Sequence, residues 1–162
     1  MKKNTLKIIF AAFILAFTVV SCSDNYLYEK HQAIANATWE YSDTLDFDFE
    51  IVDTNRIYNL YLDVAHSPAY GYQNMYVQIY TKFPSGERIK EQISLEMANK
   101  AGVWNGDCNA KVCQLQIPLQ EGAFFNEPGS YLVTIEQFMR ESPLAGVQKI
   151  GFIIEDTKQA KE

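Results

Sequence analysis

The chain is poor in the residues that most often perform chemistry. It has two histidines, His31 and His66, and three cysteines among 162 residues. Neither histidine stands beside a serine or cysteine in a nucleophile pattern. G-x-S-x-G, the P-loop and H-E-x-x-H are all missing. Those absences remove the hydrolase and nucleotide-binding classes that such motifs mark. A carboxylate pair for glycoside hydrolysis needs no motif, only two acids about 5–10 Å apart in a cleft. Nothing in the chain favours one, so it reads as a non-enzyme. Long helical periodicity, internal repeats and low-complexity segments are also missing. Basic residues are few, 14 Lys and Arg against 20 Asp and Glu.

One long apolar run occurs, and it lies at the start. Lys2, Lys3 and Lys7 precede Ile8 to Val20, a stretch broken only by Thr18. It matches the apolar region of a secretory signal and is too short for a spanning helix, which needs about 20 such residues. Ser21 then supplies a small side chain directly before Cys22. A lipoprotein peptidase needs that arrangement, because the thiol carries diacylglycerol and the new N-terminus a further acyl chain. An ordinary secretory signal with a chance cysteine is the alternative. Each buried CH₂ stabilises membrane binding by about 0.8 kcal/mol, so several chains hold a protein durably. The expected organisation is a signal peptide over 1–21, the acylated Cys22 with a tether to 37, a folded domain over 38–156, and a polar tail over 157–162. Asp24 lies close enough to Cys22 to act in sorting. The expected location is the cell envelope, at the outer membrane, with its periplasmic face favoured over the cell surface.

Loss of the leader takes three basic residues and no acidic ones, moving the net charge from −6 to −9. That argues against nucleic acid or an anionic lipid surface as partner. It suits a domain that meets a basic protein surface. Cys108 and Cys113 remain. Exported proteins meet oxidising conditions, so the pair reads as a disulfide, favoured over a metal pair that would lack nearby His or Cys ligands. Closing so short a loop stabilises by roughly 2 kcal/mol in the chain-entropy view.

The remainder reads as β-structure. Leu45, Phe47, Phe49 and Ile51 alternate with Asp46, Asp48 and Glu50, the pattern of a half-buried strand. Leu60, Leu62 and Val64 repeat it, as do Met75, Val77 and Ile79. Pro84-Ser85-Gly86 then supplies a turn, so residues 74–97 form a hairpin. Leu115 and Ile117 mark a strand that Pro118 confines to an edge or a strand end. Tyr131, Val133 and Ile135 mark another, and Val147 to Glu155 the last. Seven or eight short strands at this spacing predict an all-β, antiparallel sandwich, jelly-roll or Ig-like.

Asp46, Asp48 and Glu50 share one strand face, but a straight strand cannot wrap a calcium ion. They read as a solvated face that discourages edge pairing, and no metal is expected. Tyrosine is abundant, with 10 residues. Its apolar ring and hydrogen-bonding tip make Tyr70, Tyr72 and Tyr76 candidates for stacking on sugars or anchoring a partner. Covering the second sheet is the plainer alternative. Trp104 in the Gly-rich loop is either a lid on the sandwich edge or an exposed anchor. Arg140, after a strand end, either clamps a loop carboxylate, the favoured reading, or grips a partner.

In order and spacing these pieces resemble the gliding-motility lipoprotein family GldH. The segments carrying the resemblance are Val20-Ser21-Cys22, Tyr58-Asn59-Leu60, Asn74 to Gly86 and Gly102-Val103-Trp104-Asn105-Gly106. Gly129-Ser130-Tyr131 through Met139-Arg140 and Leu144-Ala145-Gly146-Val147 through Gly151-Phe152 complete it. The Cys108/Cys113 loop is a local departure. The resemblance implies a non-catalytic lipoprotein that serves the gliding machinery and is linked to the type IX secretion apparatus. Its expected partners are envelope proteins of that complex, with the membrane reached through the lipid anchor. Cys22 is the residue to which it assigns a defined role. A surface glycan-binding module is the alternative function.

Overall fold

The computed structural model describes residues 25–161; Cys22 and the leader lie outside them. Eleven strands run in chain order: β1 Tyr26–Ala33, β2 Thr38–Trp39, β3 Leu45–Ile51, β4 Arg56–His66, β5 Asn74–Lys82, β6 Arg88–Glu96, β7 Asp107–Cys108, β8 Cys113–Ala123, β9 Gly129–Gln137, β10 Leu144–Ala145 and β11 Val147–Ala160. They form a five-stranded sheet, β1-β11-β4-β8-β7, a four-stranded sheet, β3-β9-β5-β6, and a small β2-β10 pair. Every pairing between them is antiparallel.

Eight of the strands are long, and they pair first with last, second with seventh, third with sixth, and fourth with fifth. A chain folded into one long hairpin and then wrapped into two sheets gives that order. It is the jelly-roll form of the expected sandwich.

Alternation explains most of it. Leu45, Phe47, Phe49 and Ile51 point inward from β3, and their acidic neighbours outward. β11 lies inside its sheet between β1 and β4, and Ile150, Phe152, Ile153 and Ile154 are all buried along it. Pro118 sits opposite Tyr61 at a register shift, where β8 has no neighbour on its other side. The Cys108–Cys113 disulfide joins β7 to β8 at a directly paired position. Phe49 is the hub of the aromatic core. Its ring stacks on Tyr131 at 5.4 Å and meets Phe125 edge-on at 5.8 Å.

Two expected boundaries are corrected. The tether does not reach residue 37, because β1 begins at Tyr26 and pairs with β11 from Tyr26↔Glu155 to Ala33↔Lys149. β1 lacks clean alternation because it is an edge strand held by side chains. Tyr28 packs on Phe49 at 5.6 Å, and the His31 ring lies over Gly151, where any Cβ would overlap it. His31 Nε2 lies 2.9 Å from Asp63 Oδ2. Lys30 reaches across to Asp48 at 3.0 Å, and the Gln32 amide donates to the Asp46 carbonyl at 2.7 Å, closing that side of the sandwich. The polar tail is also partly strand: β11 continues to Ala160, which pairs with Arg56.

Candidate functional site

The strands place their connections at two opposite ends. Asn25, the β3–β4 turn, the β5–β6 turn and the β8–β9 loop lie at one end, as Asp156↔Tyr58, Tyr58↔Ala123 and Ile51↔Gly129 require. The 37–44, 67–73, 97–106 and 138–146 segments lie at the other, roughly 30 Å away along nine-residue β9.

At this far end a groove of about 730 Å³ opens on the outer face of the four-stranded sheet, lined by Tyr72, Asn74, Tyr76, Gln92, Phe138, Met139 and Arg140. Tyr76 points outward because its neighbours Met75 and Val77 face the core. A second hollow of about 270 Å³, bordered by Tyr41, shares Phe138 and Met139 with it. Those two residues form a ridge between the hollows. The outer face of the other sheet has a shallow hollow of about 220 Å³ lined by Asp63, Gln114 and Lys149, with no ring in it.

The ridge is held from beneath by Gln137. Alternation along β9 turns this side chain inward, where it is 2% exposed. Its amide nitrogen donates to the Glu141 carbonyl at 3.0 Å, and its amide oxygen accepts from Met139 N–H at 2.9 Å. A buried amide with both ends satisfied fixes the loop around it. Phe138 N–H donates to the Tyr76 carbonyl at 2.8 Å, and the Tyr41 hydroxyl donates to the Met139 carbonyl at 2.8 Å.

The expected partner-binding set is split by the fold. Tyr72, Tyr76 and Arg140 meet in the groove and are exposed. Tyr70 is 4% exposed and belongs to the core, so it is withdrawn as a contact residue. Burial, then the charges of Tyr72 and Glu141, push its hydroxyl well above the usual tyrosine range. Trp104 is the lid rather than the anchor: half-buried, it lies 4.7 Å from the His66 ring and donates from Nε1 to the Pro68 carbonyl at 3.2 Å. Arg140 does not clamp Glu141, whose carboxylate accepts instead from the Tyr72 hydroxyl. That hydrogen bond, reinforced by the carboxylate charge, raises the Tyr72 pKa. Phe138, Met139, Asn74 and Gln92 are groove residues that sequence reasoning missed. The one available signal was the polar Gln137 on an inward-facing position of β9.

At the same end, on β4 of the other sheet, His66 is fully buried. Its Nδ1–H donates to the Ser67 carbonyl at 2.9 Å, while Nε2 has no partner. Burial depresses its pKa, with the Ser67 hydrogen bond working the other way. Among the described residues, no group of three His, Cys, Asp or Glu side chains is placed to hold a metal ion. The groove can therefore stack on flat or apolar groups and donate hydrogen bonds from Arg140, Asn74 and Gln92.

The sequence pattern of the GldH lipoproteins matches residues 26–154, from the first residue of β1 to within the last strand. The chain belongs to the GldH lipoprotein family. It is 28% identical to a gliding motility lipoprotein GldH homolog of Christiangramia forsetii, over 90% of this chain and 95% of the relative. It is 26% identical to the gliding motility lipoprotein GldH of Flavobacterium johnsoniae, over 94% and 96%. Among solved structures, it resembles part of a family GH115 4-O-methyl-alpha-glucuronidase, at a TM-score of 0.49 and 13% identity, over 88% of this chain and 19% of that one. A likeness at that level carries no argument about function. GldH membership makes this a lipoprotein of the cell envelope, similar to proteins named for gliding motility.

Proposed function

We propose that this GldH protein is a non-catalytic docking module of the gliding-motility and type IX secretion machinery, held in the membrane by acyl chains on Cys22. The outer membrane is the expected site, on its periplasmic face. The observation that carries the reading is the position of the groove. Tyr72, Tyr76, Phe138 and Arg140 are exposed on a braced surface at the end farthest from Asn25, which is three residues along the chain from Cys22. Tyr and Arg are residues that anchor protein interfaces. The anchor confines the domain to a thin layer, which raises its effective concentration towards neighbours confined there too. Weak contacts then suffice.

The test is a crosslinking pull-down from native membranes with a C-terminal tag that leaves Cys22 free. Recovery of other gliding lipoproteins or type IX ring components, lost in Cys22→Ala and reduced in Tyr76→Ser, supports the reading. Recovery of the same partners by Cys22→Ala at native abundance makes the anchor irrelevant. A second reading, a glycan-binding module, is favoured by one feature: three exposed rings flanked by the side chains of Asn74, Gln92 and Arg140. Saturable binding of an envelope polysaccharide, lost in Tyr76→Ser, with no protein recovered, would replace the docking reading.

A further inference from the structure

Three chain steps, rather than fifteen, separate Cys22 from the folded body. The Asn25 carbonyl accepts from Asp156 N–H at 2.8 Å, and Tyr26 opens β1. Fully extended, those steps span roughly 10 Å. The polar layer on each face of a bilayer is roughly 5–8 Å deep. If Cys22 is acylated, as proposed above, this leash holds the Asn25 end of the sandwich against the headgroups.

That end is built for such contact. The exposed large hydrophobic residues divide by end. Leu27, Val52, Ile89 and Phe124 lie at the Asn25 end; Tyr41, Tyr72, Tyr76, Val103 and Phe138 lie at the far end. Val52 caps the β3–β4 turn and is 81% exposed. Ile89 and Phe124 flank an apolar slot of about 250 Å³ between β6 and β8. Their exposure therefore continues an apolar surface instead of standing as isolated side chains, which alone would mean little. Lys161 Nζ lies 3.8 Å above the Phe124 ring, an apolar stem and cationic tip suited to a headgroup layer.

We infer that Leu27, Val52, Ile89 and Phe124 form a membrane seat that rests in the interfacial layer of the bilayer holding the anchor. Exposed charges of both signs surround it, Glu50, Asp53, Glu87 and Glu121 with Lys82, Arg88, Lys90 and Lys161, the mixture a polar headgroup layer can solvate. Seated this way the sandwich stands upright. Its groove faces away from the bilayer, and the strand length sets the height at which a partner is met.

Collisional quenching by brominated acyl chains tests the seat, using lipidated protein on phosphatidylcholine vesicles. Both native tryptophans, Trp39 and Trp104, lie at the far end, so the unsubstituted protein should show no quenching. Val52→Trp and Phe124→Trp should be quenched and Tyr76→Trp should not. Leu27→Trp replaces either seat variant that fails to melt cooperatively. Flotation is read on the same samples. Protein that floats with the vesicles while positions 52 and 124 stay unquenched, or while position 76 is quenched equally, overturns the seat and leaves the anchor standing. Protein that does not float removes the anchor, and the seat with it.

Discussion

The two ends of the sandwich expose different kinds of apolar surface. At the Asn25 end the exposed groups are Leu27, Val52, Ile89 and Phe124, none with a polar tip. At the far end three of the five are tyrosines, and two of these have engaged hydroxyls: Tyr41 donates to the Met139 carbonyl and Tyr72 to Glu141. A ring fixed by its own hydrogen bond loses less freedom when a partner arrives, so its contact area converts more fully into affinity. Bare apolar tips suit a layer that adapts to them, whereas braced rings suit a partner of defined shape. The contrast extends inward. The Asn25 end rests on the Phe49, Phe125, Tyr131 aromatic cluster, and the far end on polar groups, Gln137 and His66, satisfied wholly or in part.

The largest effect is expected from Phe49→Ala. Removing the hub of the aromatic cluster should destabilise the fold by about 3–5 kcal/mol, read as a lowered midpoint in urea unfolding. Loss below 1 kcal/mol would show that the cluster is not a cooperative core. Gln137→Ala comes next. It strands the Met139 N–H and the Glu141 carbonyl in a part-buried loop, at a cost of about 1–3 kcal/mol. Hydrogen exchange should quicken over 138–141 while β1 and β3 remain protected. Equal loosening at both ends would erase the distinction between them.

A pH effect should single out the far end. The folded-state pKa of His66 is depressed, so the unfolded chain takes up its proton first as pH falls. The stability linked to His66 is complete above the ordinary histidine value near 6.5 and declines as pH drops through the lower folded value. Asp48 and Asp156 are also depressed, the first mainly by its hydrogen bond from Lys30, the second by bonds from Lys158 against an opposing burial effect. Their contributions are lost at lower pH, in the carboxylate range. Thermal melts between pH 7 and 5 should therefore show a decline that His66→Phe flattens; an unchanged slope would assign it elsewhere. At the alkaline side, burial lifts Tyr28 to about 12, so its share of stability holds below pH 10 and is lost above it. The smallest effect on stability belongs to Tyr76→Ser. An exposed ring on the groove floor should change unfolding by under about 0.5 kcal/mol while weakening partner capture. A large loss of stability would mark Tyr76 as a structural ring.

Legibility followed the range of the interaction. β3 was readable because Leu45, Phe47, Phe49 and Ile51 alternate with charges along seven residues. The β5–β6 hairpin was readable from Pro84-Ser85-Gly86, where Gly86 adopts φ 89°. β1 was not, because its stability comes from Asp63, Gly151, Phe49 and Asp46, all distant in the chain. Of the candidate contact residues, Tyr76 could be placed by its alternation with Met75 and Val77. Tyr70 and Trp104 could not, because loop residues carry no such period and their burial depends on how His66 packs between them.

By itself the sequence determined the class: antiparallel strands, their turns, one closely spaced cysteine pair, and few groups suited to catalysis. Period-two alternation and turn chemistry act between neighbours, so a linear reading captures them. The tertiary structure decided that the first strand pairs with the last, that the leash to Cys22 is short, and which rings are exposed and at which end. The first two depend on residues more than a hundred positions apart lying opposite one another, as Tyr26 does with Glu155, and the exposure of the rings on contacts of shorter range, as between His66 and Trp104. No local pattern encodes that pairing; it follows from burying both inner faces of the two sheets at once.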